Sequence, residues 1–472
     1  MKEEITSIGI DIGTSTTQLV FSSFLVENLA SDYAVPRFSI VDKQIIYESD
    51  IIFTPLLSRT EIDIKALKLF IQSEYKKAGI EKDHVKTGAI IITGETARKE
   101  NADIVLKTLS GFAGEFVVAT AGPDLESVLS GYGSNANQLS KDAKTSIVNI
   151  DIGGGTSNLS YFDHGLLKGV ACLDIGGHLV KVDSGQVTYI YPKLQELARK
   201  YDILIKEGDT IKMHMLRDLC KLMTKVLAAS IHIIPSLDGF ESMYTNDGNP
   251  LSPDLNPIGI TFSGGVGDCI YRENDTNPFE YMDIGVILGQ EIKNSPLFRK
   301  LEWFSPKETL RATVIGAGMH TTEISGSTIS YSKEYLPLKN IPVIYIESQE
   351  IEDMQSVLKD KLATYWSEQS MPVAIAFHGK GLTSFKSIQY LADALIKGGE
   401  RIILSDFPLI VITEEDIAKA LGNALNSILS NNKPIVCIDS IHITTGTYID
   451  IGKPIVEGQV LPVVIKTLIF NR

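Results

Sequence analysis

The chain has 472 residues, 44% apolar and 22% charged, with 38 Gly and 18 Pro, a composition that excludes a disordered, collagen-like or fibrous polymer. At roughly 150 residues per domain, this length corresponds to about three domains or one large bilobed body. Forty-four Lys and Arg against 58 Asp and Glu leave a net charge of −14, which repels a polyanion and predicts no nucleic-acid partner.

The N-terminus runs from Met1-Lys2-Glu3-Glu4 directly into a strand-like segment without the pattern of a secretion signal, and no stretch reaches the roughly 20 apolar residues of a membrane-spanning helix. A cytoplasmic protein without membrane contact is therefore expected. The first strand leads into Ile10-Asp11-Ile12-Gly13-Thr14-Ser15-Thr16-Thr17-Gln18-Leu19, which returns 140 residues later as Ile150-Asp151-Ile152-Gly153-Gly154-Gly155-Thr156-Ser157-Asn158-Leu159. Each copy reads as a β-hairpin closed by a Gly/Thr turn, and a repeat at this spacing predicts two related halves. Between the copies, the pattern predicts a helix over Ile62 to Ala78, a strand over Ala89 to Ile92, and helix from Thr96 to about Leu109. After the second copy come a helix over Asp209 to Ala228, capped by Asp209 or Thr210, a loop over Asn246 to Pro257, and a strand over Ile258 to Phe262. From about Pro342, strands Val343 to Ile346, Val373 to Phe377 and Arg401 to Leu404 alternate with helices Ile351 to Tyr365, Ser387 to Ile396 and Glu414 to Leu429, an additional α/β layer. Thr447 to Phe470 is β-rich. Cys172, Cys220, Cys269 and Cys437 are far apart and without a C-x-x-C pair, as expected of buried core thiols.

Closely spaced anionic oxygens need several backbone N–H groups converging on one hollow, which Gly and small Ser/Thr turns permit. Gly13 to Thr16 and Gly153 to Thr156 are two such turns, each preceded by an aspartate. Asp11 and Asp151 beside a polyphosphate call for a hard cation between the negative charges, and Mg²⁺ is the natural one. The pair predicts a Mg-nucleotide site without a P-loop, since no G-x-x-x-x-G-K-[ST] run occurs. A third Gly-rich turn, Thr261-Phe262-Ser263-Gly264-Gly265-Val266-Gly267, follows a strand and suits close backbone approach to adenine or ribose. Val314-Ile315-Gly316-Ala317-Gly318 ranks second for that role. Glu95 follows an apolar strand at a helix start, where it either orients an attacking water or complements the helix dipole. His164, His178, His214, His232 and His320 show no H-E-x-x-H spacing, and no D-x-H-x-x-G run is present, so these histidines read as surface or core residues.

The three turns, in this order, resemble the phosphate 1, phosphate 2 and adenosine motifs of the actin, Hsp70 and hexokinase ATPase superfamily. The resemblance implies an α/β chain with two related actin-like, ribonuclease H-like ATPase domains around a nucleotide cleft, here 1–144 and 145–341, followed by an additional α/β region, 342–472. By the same resemblance, Asp11, Gly13, Thr14, Ser15, Thr16, Asp151, Gly153, Gly154, Gly155, Thr156, Gly264, Gly265 and Gly267 hold ATP, Asp11 and Asp151 hold Mg²⁺, and the helical segments with Ala97 to Leu106 and Asp283 to Ile292 connect the halves. Longer segments are similar to the ethanolamine ammonia-lyase reactivating factor family: Thr93-Gly94-Glu95-Thr96-Ala97-Arg98-Lys99-Glu100-Asn101-Ala102, Arg311 to Gly318, Ile324-Ser325-Gly326-Ser327-Thr328-Ile329 and Tyr448-Ile449-Asp450-Ile451-Gly452-Lys453-Pro454. Thr445-Gly446-Thr447 departs from it, where an acidic residue is expected beside the glycine. This likeness implies an ATP-dependent chaperone that frees damaged cobalamin from the adenosylcobalamin-dependent lyase, with adenosylcobalamin touched only through the client and a bacterial microcompartment as a candidate location. A small-molecule kinase of the same superfamily is the alternative. An iron–sulfur activator of a radical dehydratase and an actin-like filament are further rivals, and the scattered cysteines oppose the first of these.

Overall fold

A computed structural model of the chain describes residues 2–30, 36, 38–58, 60–113, 117–121, 123–245, 250–272, 277–320, 322–326, 328–365, 372–443 and 447–467. The first sheet contains β1 (Lys2–Ile12), β2 (Thr16–Asn28), β3 (Phe38–Glu48), β4 (Ile52–Phe53), β5 (Val85–Ile92) and β6 (Val117–Ala121). Its order is β3-β2-β1-β5-β6, with β4 on β2; β1 and β2 are antiparallel, and β5 and β6 run parallel to β1. The second lobe repeats this with β7 (Ser146–Ile152), β8 (Ser157–Asp163) and β9 (Leu166–Leu173), a small ribbon of β10 (Val180–Asp183) and β11 (Gln186–Ile190), then β12 (Gly259–Ser263) and β13 (Glu302–Trp303). Its sheet order, β9-β8-β7-β12-β13, matches the first strand for strand in both sequence and direction. The register is also the same: Asp11 faces Gln18 in one hairpin, and Asp151 faces Asn158 in the other. The sequence repeat is therefore a structural repeat, with the two aspartates at equivalent ends of the two central strands.

Helices α1 (Ile64–Ala78) and α2 (Ala102–Ala113) cover one face of the first sheet, burying Leu67, Ile71, Val105 and Leu109 against Ile8, Ile10 and Ile90. Two further helices join the lobes. α3 (Pro123–Gly133), followed by α4 (Ala136–Ala143), leaves the first lobe and lies on the second sheet, where Gly131 meets Ser160 and Phe162. After α5 (Pro192–Lys200), α6 (Met213–Ser230), α7 (Gly264–Tyr271) and α8 (Gly285–Asn294), α9 (Ala312–His320) returns to the first sheet, and the Ser7 hydroxyl donates to its Gly318 carbonyl at 2.7 Å. α3 and α9 cross at glycines: a Cβ on Gly316 would stand 2.1 Å from the Leu129 carbonyl oxygen, and one on Gly133 would stand 1.8 Å from that of Ala312. These, and not the segments around Ala97 to Leu106 and Asp283 to Ile292, are the helices that tie lobe to lobe. The Gly316-Ala317-Gly318 run serves helix contact and is not a nucleotide turn.

The third region forms an eight-stranded sheet, β14-β21-β20-β16-β17-β18-β19-β15, from β14 (Thr322–Ser325), β15 (Ser330–Tyr331), β16 (Leu338–Ile346), β17 (Ala374–Phe377), β18 (Leu409–Thr413), β19 (Ile435–Ile438), β20 (Thr447–Ile451) and β21 (Leu461–Thr467). Its middle strands β16 to β19 are parallel. α10 (Met354–Tyr365), α11 (Phe385–Gly398), α12 (Glu400–Leu404) and α13 (Ala418–Ile428) accompany them. The region docks on the first lobe, where Ile455, Val456 and Val460 pack with Ile5, Phe24, Val26 and Phe38.

Two expected elements differ. Arg401 to Leu404 is the helix α12 and not a strand, because it continues the turn of α11 past Gly399 and shows only one apolar side, with Ile402 buried and Leu404 exposed. The strand at that place in the layer is β18. The helix expected from Asp209 begins at Met213 and lacks a side-chain cap; Asp209 instead closes the preceding loop by accepting the Lys206 N–H at 3.0 Å. The four cysteines are buried and unpaired.

The glycine crossing predicts that Gly316→Ala destabilises the protein by about 1–3 kcal/mol through overpacking. Gly111→Ala in α2, where a Cβ meets nothing within 4 Å, is predicted to be neutral or stabilising by up to about 1 kcal/mol. Thermal melts of the two variants check the contrast.

Candidate functional site

Both hairpins close on the same hydrogen bond: Gly13 N–H donates to the Thr16 carbonyl at 2.8 Å, and Gly153 N–H donates to that of Thr156 at 2.9 Å. This spends the first glycine's donor within the turn and leaves the turn tips lining a cavity of about 390 Å³ between the lobes. Asp11, Gly13, Thr14, Ser15 and Thr16 line it from one side, and Asp151, Gly153, Gly154, Gly155 and Thr156 from the other. Gly264 and Gly265 line it at the start of α7, beside Val266, Cys269, Arg272 and Tyr281. Gly264 has φ 82, and a Cβ there would come within 2.5 Å of the Ile152 carbonyl oxygen, so the third turn touches the second hairpin directly. Gly267 is the exception among the expected residues. It lies inside α7 against Phe262, off the cavity wall. Glu95 belongs to the short 3₁₀ turn Gly94–Arg98, not to an α-helix start, and its side chain lies outside the described residues.

The aspartates are held from behind. Thr93 donates to Asp11 at 3.1 Å, and Ser263 donates to Asp151 at 2.6 Å. Ser263 is in turn fixed by the Asn149 amide at 3.0 Å, and Thr261 donates to the Asn149 carbonyl oxygen at 2.8 Å. A third carboxylate, Glu126 in the first turn of α3, faces the same cavity. Burial pushes Asp11 up to about 7, with the negative Asp151 adding to the rise, and pushes Asp151 up to about 6. Glu126 is raised well above the carboxylate range, first by burial and then by the charges of Asp11 and Asp151, although the Gly94 N–H and the Asn158 side chain bond to it. Three carboxyls, those of Asp11 and Asp151 buried and that of Glu126 partly so, face one cavity walled by glycine turns, and burial raises the pKa of each.

At the far end Arg272 is clamped by Asp268 at 2.6 Å and donates to the Tyr281 hydroxyl at 2.9 Å. Its guanidinium also lies 6.0 Å from the centre of the Tyr281 ring. The arrangement leaves a flat, polar-edged wall next to Gly265, where a Cβ would meet nothing.

The family model for "Ethanolamine utilisation protein EutA" matches residues 3–471. The chain belongs to this family. It is 36% identical over 469 residues to the ethanolamine ammonia-lyase reactivase EutA of Salmonella typhimurium, covering 99% of each chain. The same identity holds over 468 residues to the Escherichia coli reactivase, again with 99% of each chain covered. Among solved structures, it is similar to the Aquifex aeolicus Ppx/GppA phosphatase at TM-score 0.36 and 14% identity, over 67% of this chain and 99% of that one. Among the described residues no helix is long and apolar enough to cross a membrane.

Sequence reasoning missed Glu126, Thr93, His178 and Asp283 on the cavity wall. A signal for the last two existed. Asp-Ile-Gly occurs at 11, 151, 174, 283 and 450; the third copy leads into Gly177-His178, the fourth is Asp283-Ile284-Gly285, and both reach the cavity. Thr93 opens the Thr93-Gly94-Glu95-Thr96 segment already singled out, whereas Glu126 carried no comparable mark.

Because the folded-state pKa of Asp11 lies above its ordinary value of 3.8, the folded state holds that proton more tightly than the unfolded chain does, and stability falls as pH rises from about 4 through 7. Asp11→Asn removes this penalty while keeping an acceptor for Thr93. Without ligand at pH 7.5, the variant is predicted to be more stable than wild type by roughly 1–3 kcal/mol, with the difference vanishing toward pH 4. Calorimetric melts across pH measure this, and a less stable variant at pH 7.5 contradicts the electrostatic account.

Proposed function

We propose that this chain is an ATP-dependent reactivating chaperone for adenosylcobalamin-dependent ethanolamine ammonia-lyase, promoting release of damaged cobalamin and its exchange for intact adenosylcobalamin during ethanolamine utilisation. Two relatives that align over nearly their whole length are named ethanolamine ammonia-lyase reactivases, which supports this reading over a small-molecule kinase. The observation that carries the nucleotide part is the meeting of two equivalent Asp-turn hairpins, from two lobes, on one cavity with three carboxyls.

In this reading Gly13, Thr14, Ser15 and Thr16 take the phosphates from one side, and Gly153, Gly154, Gly155 and Thr156 from the other. Asp11 and Asp151 hold Mg²⁺, which neutralises the phosphate charge and relieves the repulsion among the carboxyls. Gly264 and Gly265 take the adenosine, with Gly267 packing the helix behind them. Glu126 or Glu95 orients the water that attacks the terminal phosphorus. Since each hairpin belongs to a different lobe, a ligand that touches both favours the closed shape, and its hydrolysis releases that preference. The client sets the location, cytoplasmic and in a bacterial microcompartment where the lyase is enclosed. Cobalamin is reached through the lyase, and the acidic chain takes no nucleic acid.

Incubating cobalamin-inactivated ethanolamine ammonia-lyase with this protein, Mg²⁺, ATP and fresh adenosylcobalamin is expected to restore deamination. Omission of ATP, or Asp151→Ala, is expected to abolish the recovery. Recovery that is equal without ATP refutes the proposal. Between the two glutamates, the variant that retains nucleotide binding but slows ATP turnover by about 10²-fold or more identifies the water-orienting residue. Glu126→Gln and Glu95→Gln are compared by phosphate release, and an unchanged rate removes the role from that residue.

A further inference from the structure

The side chain of His178 spans the gap between the lobes. Its backbone belongs to the second lobe, where its N–H donates to the Gly154 carbonyl at 2.7 Å and that of Gly177 donates to Gly153 at 3.1 Å. Its ring reaches the first lobe, with the Ser15 hydroxyl 3.0 Å from Nδ1 and 3.4 Å from Nε2, and Nε2 lies 3.1 Å from Asp283. Asp283 is buried, and its other oxygen accepts the Gly285 N–H at 2.8 Å. The fit is close: a Cβ on Gly154 would stand 2.7 Å from Ser15 Oγ and 3.3 Å from the ring, and a Cβ on Gly177 would stand 3.0 Å from the Asp283 carboxylate.

The chemistry orders these contacts. The Asp283 carboxylate beside Nε2 favours the tautomer with the ring proton on that nitrogen, which leaves Nδ1, the nearer of the two to Ser15, as the acceptor for its O–H. Burial supports this by pushing the imidazole down to about 4, so the ring is neutral near pH 7. The Ser15 proton therefore points at His178 and away from the space where a phosphate is expected.

We propose that His178 is a positioning residue that latches the first hairpin to the second lobe when no nucleotide is bound, and that the phosphates release this latch by taking over the Ser15 hydroxyl. The hand-over rests on the nucleotide reading given above; the latch itself does not. Ser15 has one proton to give, so it serves either the histidine or the phosphate. The exchange gives the ligand a differential contact with two lobe arrangements, the requirement for any ligand-driven shift.

The test is a distance measurement by double electron–electron resonance. Spin labels go on Leu69→Cys in α1 and Leu204→Cys in the second lobe, both exposed sites, while the four native thiols are buried. Without nucleotide, His178→Ala is expected to shift the interlobe distribution to longer distances, with about a 2- to 10-fold fall in the closed-to-open ratio, the effect of one buried hydrogen bond. Ser15→Ala breaks the same bond from the other lobe and must reproduce the shift, which guards against a local folding defect at 178. His178→Gln, which can accept and donate in the same line, is expected to restore the closed population at least in part. Nucleotide-free distributions that are unchanged in both alanine variants overturn the latch. With Mg²⁺ and a non-hydrolysable ATP analogue, wild type and His178→Ala are expected to converge, and a persisting difference overturns the hand-over. Failure of wild type to bind the analogue in calorimetry refutes the nucleotide reading and the hand-over together, while the nucleotide-free comparison still decides the latch.

Discussion

Three carboxyls from three separate segments are forced into one hollow, and the surrounding structure follows from how that charge is tolerated. Asp11 and Asp151 end equivalent strands, and Glu126 rises from the helix between them. Desolvation, with charge repulsion added at Asp11 and Glu126, favours their protonated forms, which is an unstable arrangement near neutrality unless cationic charge is brought in. Thr93 and Ser263 hold the aspartates in place without cancelling the charge. In the proposed reading a cation with an anionic ligand meets this charge, and the stability lost by gathering the carboxyls becomes affinity for them.

This charge cluster also spans the joint of the molecule. Each lobe contributes one hairpin, and α3, which carries Glu126, begins after the strands of the first sheet and packs on the second. α9 makes the reverse journey, and the two helices meet backbone to backbone at Gly133 and Gly316. A crossing this close leaves the joint between the lobes no room for larger side chains. The third region is fastened to the first lobe by Ile455, Val456 and Val460. In the proposed reactivation cycle, the first lobe and the third region move together relative to the second lobe.

Much of this was legible in the residues. The 140-residue repeat announced both hairpins down to register, because Asp, Gly and Thr at fixed turn positions determine the turn bond between residues 13 and 16 and between 153 and 156. The alternation of β and α after Pro342 announced the third layer. What stayed hidden depended on tertiary partners. Arg401-Ile402-Ile403-Leu404 holds two β-branched isoleucines and a leucine, yet it follows Gly399 as one more helical turn, because the layer already has its strand at Leu409–Thr413. Gly316-Ala317-Gly318 reads locally as a second candidate for the adenosine turn, and only the approach of Leu129 shows that its small residues serve a helix crossing. Glu126 is an ordinary residue in one dimension, and His178 is marked only by the Asp-Ile-Gly run before it; both reach the cavity because the fold brings them toward the aspartates and Ser15.

The most direct test of the central claim is crystallographic. Crystals soaked with Mn²⁺ and ADP, with data collected at the manganese absorption edge, report the position of the cation independently of the nucleotide. The account predicts one strong anomalous peak between the carboxyls of Asp11 and Asp151, with the phosphates against both hairpin turns and the adenine beside Gly265 and Arg272. Nucleotide bound elsewhere, or a cation that engages neither aspartate, contradicts it.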